Sequence, residues 1–231
     1  KMYENEKLSS LGRLSTSVAH EVKNPLSSIK TIVQVMREDL KKNDPLQEDL
    51  AIIVGEIDRL TKVVNQLLQF AKPSSEVKAD VKIGEVINST LVVLNHEAKQ
   101  NNIVTHCQIP NDLPALATDE GAMKEVFFNL LHNAIQAMPA GGKISIDAHY
   151  LHNNHAIQVT IADTGPGIPQ ESSQKIFEPF YTTKQTGTGL GLSIVKKKLE
   201  DMDATIHVES NGNGASFIIN FPLNESVLMP T

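Results

Sequence analysis

A histidine on a predicted helix begins an uncommon run of residues, His-Glu-Val-Lys-Asn-Pro-Leu, at positions 20–26. In the heptad pattern of that helix His20 takes the position farthest from the interface, so its imidazole is predicted to be exposed as a nucleophile. Glu21 is the acid that would orient the ring, through a bent rotamer, and Asn24 follows one turn later on the same face. An isolated histidine of this kind is ordinarily a solvated surface residue. Pro25, however, costs about 3 kcal/mol inside a helix, so the run as a whole indicates a constraint other than helix stability.

A later predicted helix carries polar residues every four positions on one face: Glu125, Asn129 and Asn133. Solvated helix faces usually carry Lys and Glu, because amides are weaker helix formers. Amide oxygens at this spacing suit a hard cation and the oxygens of phosphates. The alternative is that this face is simply solvated, and these three residues alone do not decide between the two interpretations.

The first of two glycine-containing loops, Asp-Thr-Gly-Pro-Gly-Ile at 163–168, begins where an apolar strand ends. Gly165 and Gly167 allow a sharp turn and leave room for a ligand against the backbone. Asp163 would accept a hydrogen bond from an exocyclic amine such as that of adenine. A tight turn capped by Asp163 is the alternative interpretation.

The second glycine loop runs directly into a predicted helix, where backbone N–H groups and the positive end of the helix dipole favour phosphate. Its residues are Gly187, Thr188, Gly189, Leu190 and Gly191. The loop lacks the Lys-Ser/Thr ending of a P-loop and follows no strand, so a flexible lid explains it equally well. Lys184, just before the loop, would supply a mobile charge for a terminal phosphate.

Two long helices are predicted before these loops. Apolar residues alternate in steps of three and four over 8–36, with a break at Ser15, and again over 46–71. The turn at 43–45 separates the helices and places Pro45 at the first position of the second one. Because one hairpin leaves part of its apolar stripe uncovered, the pattern predicts a dimer with a four-helix bundle.

Beyond a Pro-Ser-Ser linker that starts at residue 73, the pattern changes to mixed helix and strand. Helices are predicted over 83–100, 119–138 and 190–201, and strands over 103–109, 143–150, 156–162, 205–209 and 215–221. Turn signals at 153–154 and 211–214 predict that the last four strands form two hairpins. A mixed α/β domain is therefore expected to present the amides and both glycine loops.

The composition is that of an ordinary core-forming chain. Of 231 residues, 40% are hydrophobic and 21% are charged, which excludes a disordered or fibrous protein. The net charge of −6 argues against nucleic acid as a partner, since proteins that bind the phosphate backbone carry a basic surplus. Cys107 alone forms neither an internal disulfide nor a metal cluster. No apolar run is long enough to span a membrane, and the start at Lys1 leads us to expect a fragment of a longer protein.

Five motifs, in this order, resemble those of the two-component sensor histidine kinases. They are the H-box at 20–26, the N-box E-V-F-F-N-L-L-H-N-A at 125–134, the G1-box at 163–168, the F-box F-E-P-F-Y-T-T-K at 177–184 and the G2-box G-T-G-L-G-L at 187–192. The resemblance implies an α-helical hairpin that forms a dimeric four-helix bundle, followed by an α/β two-layer sandwich of the GHKL ATPase type. The H-E-x-K-N-P-L form and the short lid are most similar to the nitrogen-regulation-type subgroup.

The resemblance also implies domain bounds and the roles of the residues around the histidine. The dimerisation and phosphotransfer hairpin would cover 1–72, a linker 73–80, the ATP-binding catalytic domain 81–224 and a tail 225–231. His20 would be the phosphoacceptor and Glu21 its acidic partner. Asn24 would stand where the family carries its phosphatase residue.

In the catalytic domain the resemblance implies that Asn129 ligates Mg²⁺, that Asn133 contacts phosphate or ribose, and that Asp163 reads the adenine amine. Lys184 and the loop residues would shape the nucleotide pocket and its lid: Gly165, Gly167, Gly187, Thr188, Gly189, Leu190 and Gly191. Glu125 matches the water-activating base of GHKL ATPases, and its role in a kinase is open. Gln136 stands where related kinases often carry a basic residue, so fewer fixed charges are expected beside the triphosphate.

The implied cofactors are ATP and Mg²⁺, and the implied partners are a second copy of the chain and the receiver domain of a response regulator. The γ-phosphoryl group would pass to His20 and then to an aspartate of that regulator, in the cytoplasm. Two alternatives stay open: a GHKL ATPase without histidine kinase activity, and an inactive dimeric scaffold. The input signal, the cognate regulator, membrane anchoring of the parent protein and phosphorylation within or between subunits do not follow from the sequence.

Overall fold

The computed structural model describes residues 2–41, 44–71, 78–184, 187–210 and 212–223, without the side chains of residues 2–20, 67 and 69–71. The chain divides into two compact units, Lys1–Pro73 and Ser74–Thr231. Most of the predicted linker and the predicted tail at 225–231 lie outside the described residues. In the described part of the chain, no helix carries the apolar stretch that crossing a bilayer would require.

The first unit is a hairpin of two helices, α1 (Met2–Asp39) and α2 (Leu46–Ala71). The turn between them is fixed by Asp44, whose Oδ1 accepts a hydrogen bond from the Leu46 N–H at 2.9 Å. Gln47 adds a second link, because its Nε2 donates to the Arg37 carbonyl at 2.7 Å. Because Asp44 is the cap and Leu46 the second residue after it, Pro45 takes the predicted first position of the helix, where its missing N–H is not needed.

Among the described side chains, the hairpin leaves much of the predicted apolar seam uncovered: Ile29, Ile32 and Ile53 keep 46%, 60% and 43% of their surface exposed. The buried apolar residues are Ile57 of the seam and Val33, which lies beside it. This exposed stripe follows the predicted seam, in which both helices of one hairpin leave apolar side chains uncovered. α1 continues unbroken through Pro25.

The second unit is built on a five-stranded sheet with the order β2-β4-β5-β7-β6, in which β2 and β4 are parallel and the other neighbours antiparallel. Its helices are α3 (Ile83–Gln100), α4 (Glu120–Ala137) and α5 (Gly191–Asp201). Its strands are β1 (Ala79–Val81), β2 (Ile103–Gln108), β3 (Leu116–Thr118), β4 (Gly142–Leu151), β5 (Ala156–Asp163), β6 (Thr205–Ser210) and β7 (Ala215–Pro222).

Buried and less buried residues alternate along the central strands, so one face of the sheet packs against the helices and the unit has two layers. Ile144, Ile146 and Ala148 of β4 are buried, while the residues between them are half-buried or exposed. The buried face of the sheet shares one core with α3, α4 and α5, whose buried members include Phe127 and Leu130. The structure therefore has the predicted α/β two-layer architecture, and α4 packs against both α3 and α5.

The predicted helices and strands of this unit are confirmed to within one residue at each end. The prediction missed β1 and β3, which pair antiparallel as a separate two-stranded sheet. Strands of three residues are too short to show a period-two pattern in sequence, so only their pairing identifies them. Ala79 and Asp80, which we assigned to the linker, belong to β1.

Candidate functional site

The histidine of the first motif lies in α1, and its side chain is outside the described part of the structure. The side chains of Glu21 and Asn24 are exposed. The Asn24 carbonyl accepts a hydrogen bond from Ser28 Oγ at 3.2 Å, and within the described residues its side-chain amide has no hydrogen-bond partner. The side chain of Asn24 is therefore accessible to solvent on the surface of α1.

The second motif presents a row of polar side chains along α4. Asp119 caps the start of this helix by accepting a hydrogen bond from the Ala122 N–H at 3.1 Å. One face of α4 is buried in the core, and Asn129 and Asn133 are half-buried on another face. Asn129 Nδ2 donates to the Glu125 carbonyl at 2.9 Å, so the Oδ1 of Asn129 is the atom left to bind a cation.

The beginning of α5 lies against these two amides. A methyl group in place of the Gly191 hydrogen would lie 3.4 Å from Asn129 Oδ1 and 3.7 Å from Asn133 Nδ2. Leu190 is buried immediately before this glycine and anchors the loop in the core. The structure thus brings the amide pair and the last glycine of the second loop together, at the N-terminal end of a helix where anions are favoured.

Asp163 ends β5 with one carboxylate oxygen engaged and the other available. Its Oδ1 accepts hydrogen bonds from the backbone N–H groups of Gly165 at 2.8 Å and Ala215 at 3.4 Å. Burial raises the pKa of Asp163 above its ordinary value, and the two N–H groups oppose part of that shift. The carboxylate is held in one orientation, and Oδ2 is left to accept a bond from a ligand.

The first glycine loop folds tightly between β5, α4 and the β6–β7 hairpin. A methyl group on Gly165 would lie 2.9 Å from Asp163 Oδ1 and 3.3 Å from the Ala137 Cβ. Gly167 has a φ of +77°, and a methyl group there would lie 2.7 Å from Ser210 Oγ. These are positions where only glycine lets the backbone approach so closely.

Sequence reasoning missed the residues that hold this loop from the far hairpin. Ser210 Oγ accepts a hydrogen bond from the Ile168 N–H at 2.8 Å and donates to the Gly214 carbonyl at 2.7 Å. A methyl group on Gly214 would collide with the Asp163 carbonyl, so this glycine is also required by packing. The Asn-Gly-Asn-Gly sequence of that hairpin was the available signal, but it indicated only a turn.

The F-box segment and the second glycine loop form one lid. The Phe180 N–H donates to the Gly189 carbonyl at 3.0 Å, and a methyl group on Gly189, whose φ is +67°, would collide with the Phe180 backbone. Gly187 lies similarly close to Thr182. Within the loop, Thr188 Oγ1 accepts a bond from the Leu190 N–H at 3.4 Å.

The lid reaches α4 through Lys184, whose Nζ donates to Gln136 Oε1 at 2.9 Å. The lid thus places the ammonium group of Lys184 beside Gln136. Residues 185 and 186 of the lid lie outside the described part of the chain.

These contacts follow a single stripe of α4 with a four-residue spacing. Asn129 and Asn133 face Gly191, and Ala137 faces Gly165 next to Asp163. The rise of the helix separates Asn129 from Ala137 by about 12 Å. Amide oxygens and helix N–H groups lie at one end of this stripe and an oriented carboxylate at the other, an arrangement that fits the phosphates and the base of an extended nucleotide.

The described residues contain no cluster of three or more His, Cys, Asp or Glu side chains that would hold a metal ion on their own. A hard cation at this site would be bound by an amide oxygen and by the oxygens of a nucleotide.

Two family models match the chain. The model described as "His Kinase A (phospho-acceptor) domain" matches residues 10–76. The model described as "Histidine kinase-, DNA gyrase B-, and HSP90-like ATPase" matches residues 118–225.

Two similar curated proteins are named as kinases. The signal transduction histidine-protein kinase AtoS of Escherichia coli (strain K12) is 36% identical over 97% of this chain and 37% of its own length. Sporulation kinase A of Bacillus subtilis (strain 168) is 35% identical over 96% of this chain and 36% of its own length. The chain spans little more than a third of each of these relatives.

The fold also matches solved structures. Full-length ShkA in complex with AMPPNP superposes with a TM-score of 0.76 at 25% identity, over 91% of this chain and 45% of that one. ThkA in complex with the response regulator protein TrrA superposes with a TM-score of 0.69 at 31% identity, over 95% of this chain and 64% of that one. The catalytic domain of ThkA alone is 34% identical with a TM-score of 0.58, over 63% of this chain and 95% of that domain.

Proposed function

Since the chain belongs to the two-component sensor histidine kinases, we propose that it transfers the γ-phosphoryl group of Mg·ATP to His20 and passes it to an aspartate of a response regulator. The observation that carries this proposal is the stripe of α4, where Asn129 and Asn133 back onto Gly191 and the oriented carboxylate of Asp163 lies beyond them. The AMPPNP bound to ShkA and the regulator bound to ThkA support the nucleotide and the partner.

We assign the nucleotide contacts residue by residue. Asp163 Oδ2 accepts the adenine amine, while the Gly165 and Ala215 N–H groups hold Oδ1 and fix the carboxylate plane. Asn129 Oδ1 ligates Mg²⁺, which neutralises phosphate charge, and Asn133 contacts phosphate or ribose. Lys184, now bonded to Gln136, adds a cation from the lid beside the terminal phosphates.

The lid glycines serve this binding by their backbone. Gly187, Gly189 and Gly191 each occupy a position where a side chain would meet the F-box segment or the amides. Thr188 and Leu190 shape the loop between them, one by its hydroxyl and the other by burial. Phosphoryl transfer depends mainly on positioning and on charge neutralisation, which a fixed loop at a helix N-terminus supplies.

In the helical unit we assign His20 as the phosphoacceptor, with a ring nitrogen as the nucleophile, and Glu21 as the acid that fixes its proton. Asn24, whose exposed amide has no hydrogen-bond partner among the described residues, orients a water against the phosphoaspartate of a docked regulator and supports its dephosphorylation. The form H-E-V-K-N-P-L favours membership of the nitrogen-regulation-type subgroup.

We also propose that the helical unit dimerises through the stripe that one hairpin leaves exposed. Ile29, Ile32 and Ile53 are about half exposed in the single chain and belong to one apolar seam. Packing a second hairpin on this seam gives a four-helix bundle and removes that surface from water.

The phosphotransfer proposal is tested by incubating the chain with γ-labelled ATP and Mg²⁺ and then adding a receiver domain. We expect label that is lost in acid and retained in base, because phosphohistidine is acid-labile, and we expect the receiver domain to remove it. Release of free phosphate without labelled protein would instead indicate an ATPase. Nucleotide binding without either product would indicate the inactive scaffold.

A further inference from the structure

We propose that Lys198 protects bound ATP from hydrolysis by holding the Glu125 carboxylate in an ion pair where neither oxygen can accept a proton from water. This inference rests on the proposed function, because it concerns water that would compete with His20 for the same phosphoryl group. It makes Lys198 a positioning residue that favours transfer over hydrolysis.

The ion pair joins α4 to α5 and is largely buried. Lys198 Nζ lies 3.3 Å from Glu125 Oε2, and the side chains of Lys198 and Glu125 are only 12% and 20% exposed. The other five ion pairs compared are all more exposed than this one: Lys30–Asp58, Arg59–Glu56, Lys82–Glu85, Lys124–Glu120 and His132–Glu97. Water and salt therefore screen the attraction between these two charges least, and the ion pair holds the Glu125 carboxylate in place.

The other carboxylate oxygen, Glu125 Oε1, is buried without a hydrogen-bond partner. It is the one buried side-chain nitrogen or oxygen without a partner in the part of the chain that the structure describes. Burying a carboxylate oxygen without a hydrogen bond is unfavourable, so another interaction must hold the side chain in this position. That interaction is the ion pair with Lys198, which attracts Oε2 and leaves Oε1 enclosed.

The position of Glu125 on the α4 stripe makes this restraint consequential. Glu125 lies one turn before Asn129, and the two are linked by the bond from Asn129 Nδ2 to the Glu125 carbonyl. If Asn129 ligates Mg²⁺, Glu125 lies one helical turn, about 5.4 Å, from that ligand along α4. Released from Lys198, a carboxylate at that distance could reach the attacking water through one intervening water, as general-base catalysis allows.

The reaction that the ion pair prevents can be written in full. A water oxygen would bond to the γ-phosphorus, its proton would pass to the Glu125 carboxylate, and the bond from phosphorus to the bridging oxygen would break, so that ADP leaves with the electron pair. With Oε2 held by Lys198 and Oε1 enclosed, the Glu125 carboxylate is not available to accept that proton. The imidazole of His20 carries its own lone pair and needs no such base.

The test uses the full chain with His20→Gln, which removes the competing acceptor. In this background we compare Lys198→Met with Lys196→Met, an exposed lysine on the same helix as the matched control. Phosphate release, ATP affinity by calorimetry and the thermal midpoint of the nucleotide-free protein are measured for each. We expect Lys198→Met to retain ATP affinity and to release phosphate about 10-fold faster, because general-base catalysis contributes on the order of 100-fold when fully developed.

Adding Glu125→Gln to Lys198→Met should return phosphate release to the starting rate, and Lys198→Arg should never raise it. The nucleotide-free protein should lose thermal stability in Lys198→Met and regain part of it in the double variant, since the buried charge is then removed. Lys198→Gln, which keeps a hydrogen-bond donor without the charge, provides the same comparison if Lys198→Met does not fold.

Three results would overturn the inference. Unchanged phosphate release with ATP still bound would show that Lys198 does not restrain a base. A faster rate that persists after Glu125→Gln would show that another group accepts the proton. If the parent chain binds no Mg·ATP at all, the proposed function fails and this inference fails with it, which calorimetry separates from the first two outcomes.

Discussion

Replacing Asp163 with asparagine isolates one carboxylate oxygen, because the other keeps its contacts. Asparagine retains Oδ1, which can still accept the bonds that the Gly165 and Ala215 N–H groups now donate. Only Oδ2 changes, from an acceptor to an NH₂ donor. The backbone around the site is thereby left as it is, and the adenine amine meets a donor instead of an acceptor.

The loss of ATP affinity follows from two contributions. A hydrogen bond to a charged group contributes about 1.5–3 kcal/mol, and leaving a donor facing a donor costs about 1–3 kcal/mol more. A combined loss of about 2.5–6 kcal/mol corresponds to ATP binding weaker by about 60- to 20,000-fold, at 1.4 kcal/mol for each factor of ten.

The stability of the nucleotide-free protein should move in the opposite direction. Because burial raises the pKa of Asp163 in the folded state, the folded protein holds this proton more tightly than the unfolded chain does. The free energy of unfolding therefore falls as pH rises from the ordinary aspartate pKa through the raised one, and the deficit persists at higher pH. Asparagine has no such deficit, so Asp163→Asn should unfold at neutral pH at the same or a higher temperature.

Calorimetric titration with Mg·ATP and thermal unfolding at neutral pH together check this reasoning, with Asp112→Asn, an exposed loop aspartate, as the matched control. We expect the control to bind like the parent chain. Unchanged affinity in Asp163→Asn would show that the adenine site lies elsewhere. Affinity lost together with a lower thermal midpoint would show that the carboxylate is structural.

Three further predictions concern the lid, the dimer and the phosphatase residue. Gly189→Ala should abolish ATP binding, because its methyl group would collide with the backbone of Phe180 in the lid. The control, Gly212→Ala, has a similar positive φ but open space around it, so it should cost only about 1–2 kcal/mol of stability. Equal nucleotide affinity in the two variants would contradict this prediction. Ile53→Glu should give a folded monomer by light scattering at micromolar concentration, since this side chain is 43% exposed in one hairpin, and a monomeric parent chain would contradict the bundle. Asn24→Ala should retain autophosphorylation and slow dephosphorylation of the regulator; loss of both activities with helix stability would indicate a capping role instead, and an unchanged dephosphorylation rate would exclude the phosphatase role.

Long elements with a clear period could be predicted from the sequence almost to the residue. The apolar spacing over 83–100 predicts α3 with both its ends, because eighteen residues repeat the helical period several times. Glu125, Asn129 and Asn133 were likewise placed on one face of α4 by their four-residue spacing alone. The spacing does not show which residue of another helix or strand each of these side chains contacts.

Contacts between distant segments account for what the sequence did not predict. The bond from the Ala215 N–H to Asp163 joins residues far apart in the chain, and so does the bond from the Ile168 N–H to Ser210. The ion pair of Lys198 with Glu125 had no sequence signal, because one lysine among three in a row on α5 is indistinguishable from its neighbours until α4 is placed beside it. The short strands β1 and β3 depend on each other in the same way.

The most direct test of the central claim is to locate the phosphoryl group on the chain. After reaction with Mg·ATP at alkaline pH, digestion with trypsin yields peptide 14–23, which contains His20 together with the hydroxyl groups of Ser15, Thr16 and Ser17. Fragmentation by tandem mass spectrometry should place the group on His20, and His20→Gln should remove it from the protein altogether. A phosphoryl group on one of the three hydroxyls, or undiminished labelling of His20→Gln, would contradict the account.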